Sequence, residues 1–341
     1  MSKTALITGV SGQDGAYLSK LLLSNGYKVV GGDRRTASGS LWRLNELGIE
    51  KEIEITDFEL TEFTNILRTI EKYNPDEIYN LAAQSFVAAS FEMPTLTSDI
   101  TGLGVLRLLE AIRKVNPQIK FYQASSSEMY GKIIQKKQNE KTPFYPRSPY
   151  AVAKLFGHYI TVNYRESYDM FNCSGILFNH ESPLRGSEFV TRKITIGLSN
   201  IKLGQLDVLE LGNLDAKRDW GYAEDYVKAM YLMLQHQDPS DYVISTGENH
   251  SVRDFINIAC SELGIKIRWE GKGIKETAID TSNNKVIIRI NPKFYRPAEV
   301  EVLLGDSSKA NNILQWKPET TFNQLVSMMV KSDYDKIKRN L

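Results

Sequence analysis

The stretch LITGVSGQDGAYL, residues 6–18, runs a short apolar segment into Gly9, Gly12 and Gly15, then into apolar residues at helical spacing. An apolar run that ends in closely spaced glycines and reopens as a helix is a strand–turn–helix junction. The glycines allow a tight turn and bring backbone N–H groups to the start of the helix, where partial positive charge collects. Gly26 falls where that helix should stop, as a left-handed cap.

The same alternation continues downstream. YKVVGG precedes SLWRLNELG, DEIYNLAA precedes LGVLRLLEAIRK, and KFYQASS precedes SPYAVAKLFGHYITVNYRES and NCSGILFNH. Continuous apolar strands separated by helices predict a parallel sheet covered on both faces. The expected class is therefore α/β, a doubly wound Rossmann sheet with a smaller C-terminal α/β lobe. DYVISTGEN reads as one more strand returning to the sheet. The expected division gives residues 1–180 and about 215–249 to a dinucleotide-binding domain, and 181–214 with about 250–341 to a substrate lobe.

Bulk properties exclude several classes. The 341 residues carry 42 Lys and Arg against 41 Asp and Glu, so no charge excess points to nucleic acid or a membrane surface. Two cysteines and four histidines, all scattered, predict neither a disulfide framework nor a metal site. The N-terminus enters a strand directly, without the pattern of a signal peptide, and a cytoplasmic location is the expectation.

In the first βα unit of such a chain, the glycine turn predicts a dinucleotide site, with the pyrophosphate on the helix N-terminus. Asp33 ends the second strand where a carboxylate binds a ribose 2′-hydroxyl and favours NAD, but Arg34 and Arg35 follow at once. A guanidinium pair suits a 2′-phosphate, so NADP is the expected cofactor in preference to NAD. Further on, QASSSEMYG (123–131) leaves a buried strand through hydroxyls and one carboxylate, and Ser148-Pro149 predicts a helix start. Tyr150 and Lys154 then share a helix face four residues apart. A neighbouring ammonium stabilises phenolate, so Tyr150 is expected to have a lowered pKa and to act as a base toward a sugar hydroxyl.

The glycine turn, serine-rich strand end and Y-x-x-x-K together resemble the extended short-chain dehydrogenase/reductase family. NLAAQSFV, SSSEMYG, TPFYPRSPYAVAK, GILFNHESPLRG, FVTRKIT, LGNLDAKRDWG, FYRPAEVEVLLGD and WKPE resemble its GDP-mannose 4,6-dehydratase branch over nearly the whole chain. The resemblance implies a lyase that oxidises C4 of GDP-mannose, eliminates water across C5 and C6 with help from Glu128, and returns hydride to C6. It implies catalytic roles for Ser126, Glu128, Tyr150 and Lys154. Implied cofactor contacts are Gly9, Gly12, Gln13, Asp14 and Gly15 in the turn, with Arg34 and Arg35 on the 2′-phosphate. They continue with Glu59 and Leu60, Leu81, Ala82, Ala83 and Ser85, Tyr150 and Lys154, and His180 and Arg185. Implied substrate contacts are Ser85, Ser126, Glu128, Asn179, Val190, Lys193, Arg218, Arg296 and Glu299. Members form homodimers or homotetramers, with the Arg34–Arg35 loop meeting a neighbouring subunit.

Three residues depart from the family pattern. Ser126 replaces the usual Thr, and Phe58-Glu59-Leu60 replaces Gly-Asp-Leu. A different GDP-hexose, such as GDP-N-acetylglucosamine, would require the same chemistry. A 4-keto-sugar reductase or epimerase fits less well, because Glu128 stands two residues after Ser126. A non-enzymatic NADP-binding protein would have no use for all four catalytic groups.

Overall fold

The computed structural model describes residues 2–35, 41–294 and 303–341. The strands are β1 (Thr4–Thr8), β2 (Lys28–Asp33), β3 (Glu54–Asp57), β4 (Glu77–Asn80), β5 (Lys120–Ser126), β6 (Asn172–Leu177), β7 (Asn179–Glu181) and β8 (Leu209–Leu211). They continue with β9 (Lys217–Arg218), β10 (Trp220–Tyr222), β11 (Asp241–Ile244), β12 (His250–Ser251), β13 (Ile267–Glu270), β14 (Thr277–Asp280) and β15 (Lys285–Ile290). The helices are α1 (Gln13–Ser24), α2 (Trp42–Glu46), α3 (Phe63–Tyr73), α4 (Val87–Glu92), α5 (Pro94–Ser98) and α6 (Gly104–Val115). After them come α7 (Pro149–Tyr168), α8 (Val190–Lys202), α9 (Ala223–Gln235), α10 (Val252–Glu262), α11 (Ser308–Leu314) and α12 (Phe322–Arg339).

Seven strands form one sheet in the order β11-β6-β5-β4-β1-β2-β3, every neighbour pairing parallel. The expected returning strand is β11. Alternate residues feed different cores, as the two-unit strand period requires. Ala5 and Ile7 of β1 join α1 and α9 on one face, while Leu6 joins Ile78, Phe121 and the helices α3 and α6 on the other. All four residues of β4 are buried, the polar Glu77 and Asn80 included, and both are hydrogen-bonded: Glu77 accepts from Tyr27 and Tyr79, and Asn80 from Thr8.

A separate core gathers α8, α10 and α12 over a four-stranded sheet of order β13-β14-β15-β8. Trp220 and Phe322 stack there with ring centres 5.8–5.9 Å from one another and from Phe255. The chain crosses between the two cores more than once. Ala310 and Leu314 of α11, followed by Trp316, pack with α9 on the large sheet rather than in the smaller core. Trp316 Nε1 fixes that return by donating to the Asp225 carbonyl at 2.8 Å.

The glycine turn is held by backbone contact. Gly9 has φ +71°, and a Cβ there would sit 2.9 Å from Ala82 N and Cα. A Cβ on Gly15 would meet Gly9 O at 2.5 Å and Val10 Cα at 2.7 Å, both immovable backbone atoms. Gly15→Ala is therefore expected to cost about 1–3 kcal/mol of stability, as overpacking does. Thermal unfolding checks this, and an unchanged Tm would show that the turn can open to admit a side chain.

Candidate active site

The C-terminal ends of β1, β4, β5 and β6 converge on a cavity of about 760 Å³, the usual binding edge of an open α/β sheet. Its walls include Asp14, Leu81, Ala83 and Ser85 from the turns after β1 and β4, then Ser126 and Glu128 after β5, and Tyr150 and Lys154 from α7. Asn179, His180, Arg185, Val190, Lys193 and Arg218 complete the side that faces the smaller core. One cavity thus collects all four residues expected to be catalytic and seven of the nine expected to hold substrate, whereas Gly9, Gly12, Gln13, Gly15, Arg34, Arg35, Glu59, Leu60 and Ala82 are not part of its lining.

Burial alternates along the end of β5 and the short 3₁₀ turn beyond it. Ser125, Ser127 and Met129 are buried, while Ser126 and Glu128 are half-buried and face the cavity. The three serines accordingly differ. Ser125 Oγ lies 3.1 Å from His158 Nδ1 inside the protein, the Ser127 carbonyl accepts from Tyr130 N, and Ser126 caps the turn by accepting from Glu128 N at 3.2 Å. Capping fixes Ser126 against the backbone of residue 128, which sets the spacing of the serine and the glutamate but leaves the Glu128 side chain uninvolved in the cap.

Ser148 caps α7 through its Oγ, which accepts from Ala151 N at 3.1 Å, and Pro149 occupies the first turn. Tyr150 hydrogen-bonds to Ser126. Lys154 Nζ donates to the Ala124 carbonyl at 2.7 Å and lies 5.8 Å from the centre of the Tyr150 ring. The expectation of a lowered Tyr150 pKa is not met in the protein alone. Burial pushes the phenol up to about 12, against the hydrogen bond from Ser126, and the Glu128 charge pushes the same way. Burial also brings Lys154 down to about 8, with Asp14 opposing. The physical reason is that desolvation outweighs an ammonium committed to a carbonyl rather than to the phenol oxygen.

Beneath these groups lies a hydrogen-bond ladder that motif reading did not find. Thr8 Oγ1 donates to Asn80 Oδ1 at 2.7 Å, Asn80 Nδ2 to Gln123 Oε1 at 2.8 Å, and Gln123 Nε2 to the Ala124 carbonyl at 3.2 Å. That carbonyl holds Lys154, so the ladder joins three adjacent strand ends to the lysine. Asp219 was also missed. It is fully buried between Arg218 and Trp220, accepts from Thr246 N, Thr246 Oγ1 and Gly247 N at 2.7–3.0 Å, and burial raises it to about 6.

The turn after β1 fits a dinucleotide diphosphate. No side chain caps α1, so its first backbone N–H groups are left to an anion, and Gly12 presents no side chain in front of them. Asp33 is engaged by Ser11 Oγ at 3.0 Å, while Arg34 and Arg35 are exposed at the end of β2. Arg43, not singled out in the sequence, donates to the Ser11 and Leu184 carbonyls at 3.0 and 2.6 Å and stacks on Trp42. Glu59 is half-buried at the start of the turn before α3. Leu60 is a core residue against Gly104, with its carbonyl accepting from Arg107, and Phe58 fills the space over Gly32. Ala82 backs Gly9 and its N–H donates to Thr8 Oγ1, outside the cavity lining.

Toward the smaller core the cavity becomes cationic and aromatic. Arg185 stacks on Phe189 at 3.5 Å, with Nε 3.1 Å from Glu181 Oε2. Lys193 sits 3.5 Å from the Phe294 ring centre, and burial lowers its pKa. Arg218 is buried with Nη1 on the Lys217 carbonyl at 2.8 Å. Arg296 and Glu299 lie outside the described residues. Among the described residues there is no cluster of three or more metal-ligating side chains, and no helix is long and apolar enough to cross a membrane.

Residues 6–329 match the family profile described as GDP-mannose 4,6 dehydratase. The chain is 49 % identical over 346 residues to GDP-mannose 4,6 dehydratase of Drosophila melanogaster, covering 99 % of this chain and 88 % of that one. It is 49 % identical to the Vibrio cholerae GDP-mannose 4,6-dehydratase, covering 100 % and 96 %, and 48 % identical to the Homo sapiens protein, covering 98 % and 92 %. Among solved structures it superposes on a dTDP-glucose 4,6-dehydratase from Bacillus anthracis in complex with NAD, with TM-score 0.81, 22 % identity and coverage of 99 % and 98 %. It likewise superposes on RMD from Pseudomonas aeruginosa complexed with NADPH, with TM-score 0.77, 21 % identity and coverage of 98 % and 100 %. Those last two likenesses concern the fold, whereas the full-length identity near one half decides kinship: this chain belongs to the GDP-mannose 4,6-dehydratase family.

Proposed function

We propose that the protein converts GDP-mannose to GDP-4-dehydro-6-deoxymannose and water, with NADP as its resident cofactor. The observation that carries this reading is the convergence of Ser126, Glu128, Tyr150 and Lys154 on one cavity whose far side is cationic. Leu81, Ala83 and Ser85 would hold a nicotinamide, which would supply reversible hydride transfer. The remaining work falls to side chains. Ser126 and Tyr150 hold the C4 hydroxyl, and Tyr150 takes its proton as the ketone forms. The ketone acidifies the C5 proton, which Glu128 removes, and Glu128 then protonates the departing C6 hydroxyl so that it leaves as water. Return of the hydride to C6 would be matched at C5 by one proton, equivalent to the one Tyr150 took from the C4 hydroxyl, so that the sequence balances with no net oxidation. Lys193 and Arg218 are suited to the diphosphate of the sugar nucleotide.

In the protein alone burial pushes the Tyr150 phenol up to about 12, so the base role proposed for it requires that bound cofactor and substrate lower that value. NADP is favoured over NAD because Arg34 and Arg35 are exposed beside the turn while Asp33 is turned to Ser11. The reading includes a homodimer or homotetramer acting in the cytoplasm.

The test is to incubate the protein with GDP-mannose and, separately, GDP-N-acetylglucosamine, without added cofactor, following mass. The expected result is loss of one water from GDP-mannose, with NADP recovered from the denatured protein. Water loss from the acetylated sugar alone would reassign the substrate. Loss from neither, with NADP and NAD then supplied, would overturn the activity.

A further inference from the structure

A carboxylate is an unexpected neighbour for a diphosphate, yet Asp14 stands in the first turn of α1 and lines the cavity. Its partner comes from far along the chain. His180 Nε2 lies 2.8 Å from Asp14 Oδ2, and His180 Nδ1 lies 2.7 Å from the Phe178 carbonyl. A carbonyl only accepts, and so does an ionised carboxylate, so both ring nitrogens must carry hydrogen to satisfy both contacts. That is the imidazolium. The ring stacks on Tyr226, 4.7 Å between centres, and is fixed in place.

The surroundings reinforce the arrangement. Gln13 Nε2 donates to Asp14 Oδ1 and to the His180 carbonyl, both at 3.1 Å, and Ser182 Oγ donates to Gln13 Oε1 at 2.7 Å. Burial works against both charges, but the ion pair and its hydrogen bonds prevail, holding His180 above and Asp14 below their ordinary values. Other charged and titratable groups facing the carboxylate are Arg185, Lys154, Arg43, Tyr150 and Tyr122. Each of those three cations is engaged elsewhere: Arg185 beside Glu181, Lys154 on Ala124, and Arg43 on Ser11 and Leu184. Among the described residues, His180 is the cation at ion-pair distance from Asp14.

We propose that His180 is a positioning residue that cancels the Asp14 carboxylate, so that the glycine turn can accept the diphosphate of a dinucleotide. The pair also clamps the segment carrying Asn179 and His180 to the start of α1, giving the carboxylate a structural use that its charge alone would forbid. The inference rests on the dinucleotide reading of the turn.

A charge cycle tests it. NADP affinity is measured by titration of the cofactor-stripped wild type, His180→Gln, Asp14→Asn and the double variant, with thermal unfolding of each to follow the clamp. Glutamine can donate to Asp14 but carries no charge, so His180→Gln is expected to weaken NADP at least tenfold, about 1.4 kcal/mol. Adding Asp14→Asn to it should recover most of that loss, and the His180→Gln defect should shrink at high salt. A purely structural role predicts the reverse, with the double variant weaker than either single one. If His180→Gln unfolds, the Asp14→Asn background must restore its folding for the idea to stand. Wild type that binds NADP without such recovery overturns the charge role alone. Wild type that binds neither NADP nor NAD overturns the dinucleotide reading and this inference together.

Discussion

Glu128→Gln is expected to abolish water loss from GDP-mannose while leaving C4 oxidation possible. The amide preserves size and the backbone bond from Glu128 N to Ser126, so the 3₁₀ turn should persist. What disappears is a group able to take the C5 proton and return one to the C6 hydroxyl. Losing a positioned acid–base group typically costs about 10²–10⁴-fold in rate. Because Ser126, Tyr150 and Lys154 remain, the first half of the reaction should still run, and reduced nicotinamide should accumulate when substrate is added. Two readouts therefore divide the cycle: mass spectrometry for dehydration and absorbance for the reduced cofactor. Water loss within tenfold of wild type would remove Glu128 from the elimination. Absence of both signals, in protein that still binds cofactor and substrate, would place Glu128 before C4 oxidation instead.

Much of this site could be read because its parts are local. Glycines three apart at a strand end, a serine two residues before a glutamate, and a tyrosine four before a lysine each follow the geometry of a single element. The large sheet was legible for the same reason, since strands buried on both faces have no polar alternation. Partnerships across the chain were not. His180 meets Asp14 across 166 positions, and Asn80 meets Thr8 across 72. Neither residue type announces its partner, and only the parallel register of β1, β4 and β5 brings the ladder together. Leu60 and Phe58 pack in the core against Gly104 and Gly32, contacts across the chain that a family pattern does not announce. The direction of the Tyr150 shift was misjudged on the same ground. Helical spacing puts Lys154 near the ring, but it does not reveal that the Ala124 carbonyl claims the ammonium.

Tyr150→Phe should stop the cycle one stage earlier than Glu128→Gln. Only the phenolic oxygen is removed. The ring is almost wholly buried at the start of α7, and Phe fills the same volume, so Tm and cofactor retention should match the wild type. Ser126 keeps its bond from Glu128 N and loses only the one to Tyr150. Dehydration is expected to fall by about 10²–10⁴-fold, and reduced nicotinamide should fail to appear with substrate, because the C4 hydroxyl proton has no acceptor. The pair of variants then gives an order of events that neither gives alone: no reduction without Tyr150, and reduction without dehydration when Glu128 is lost. A Tyr150→Phe protein that still reduces its cofactor on substrate addition would transfer the base role to another group. Lys154, brought down by burial to about 8, is the nearest ionisable alternative on the same helix face. That outcome would leave the phenol as a positioning group for the sugar. It would also explain why the protein alone holds Tyr150 protonated, at about 12.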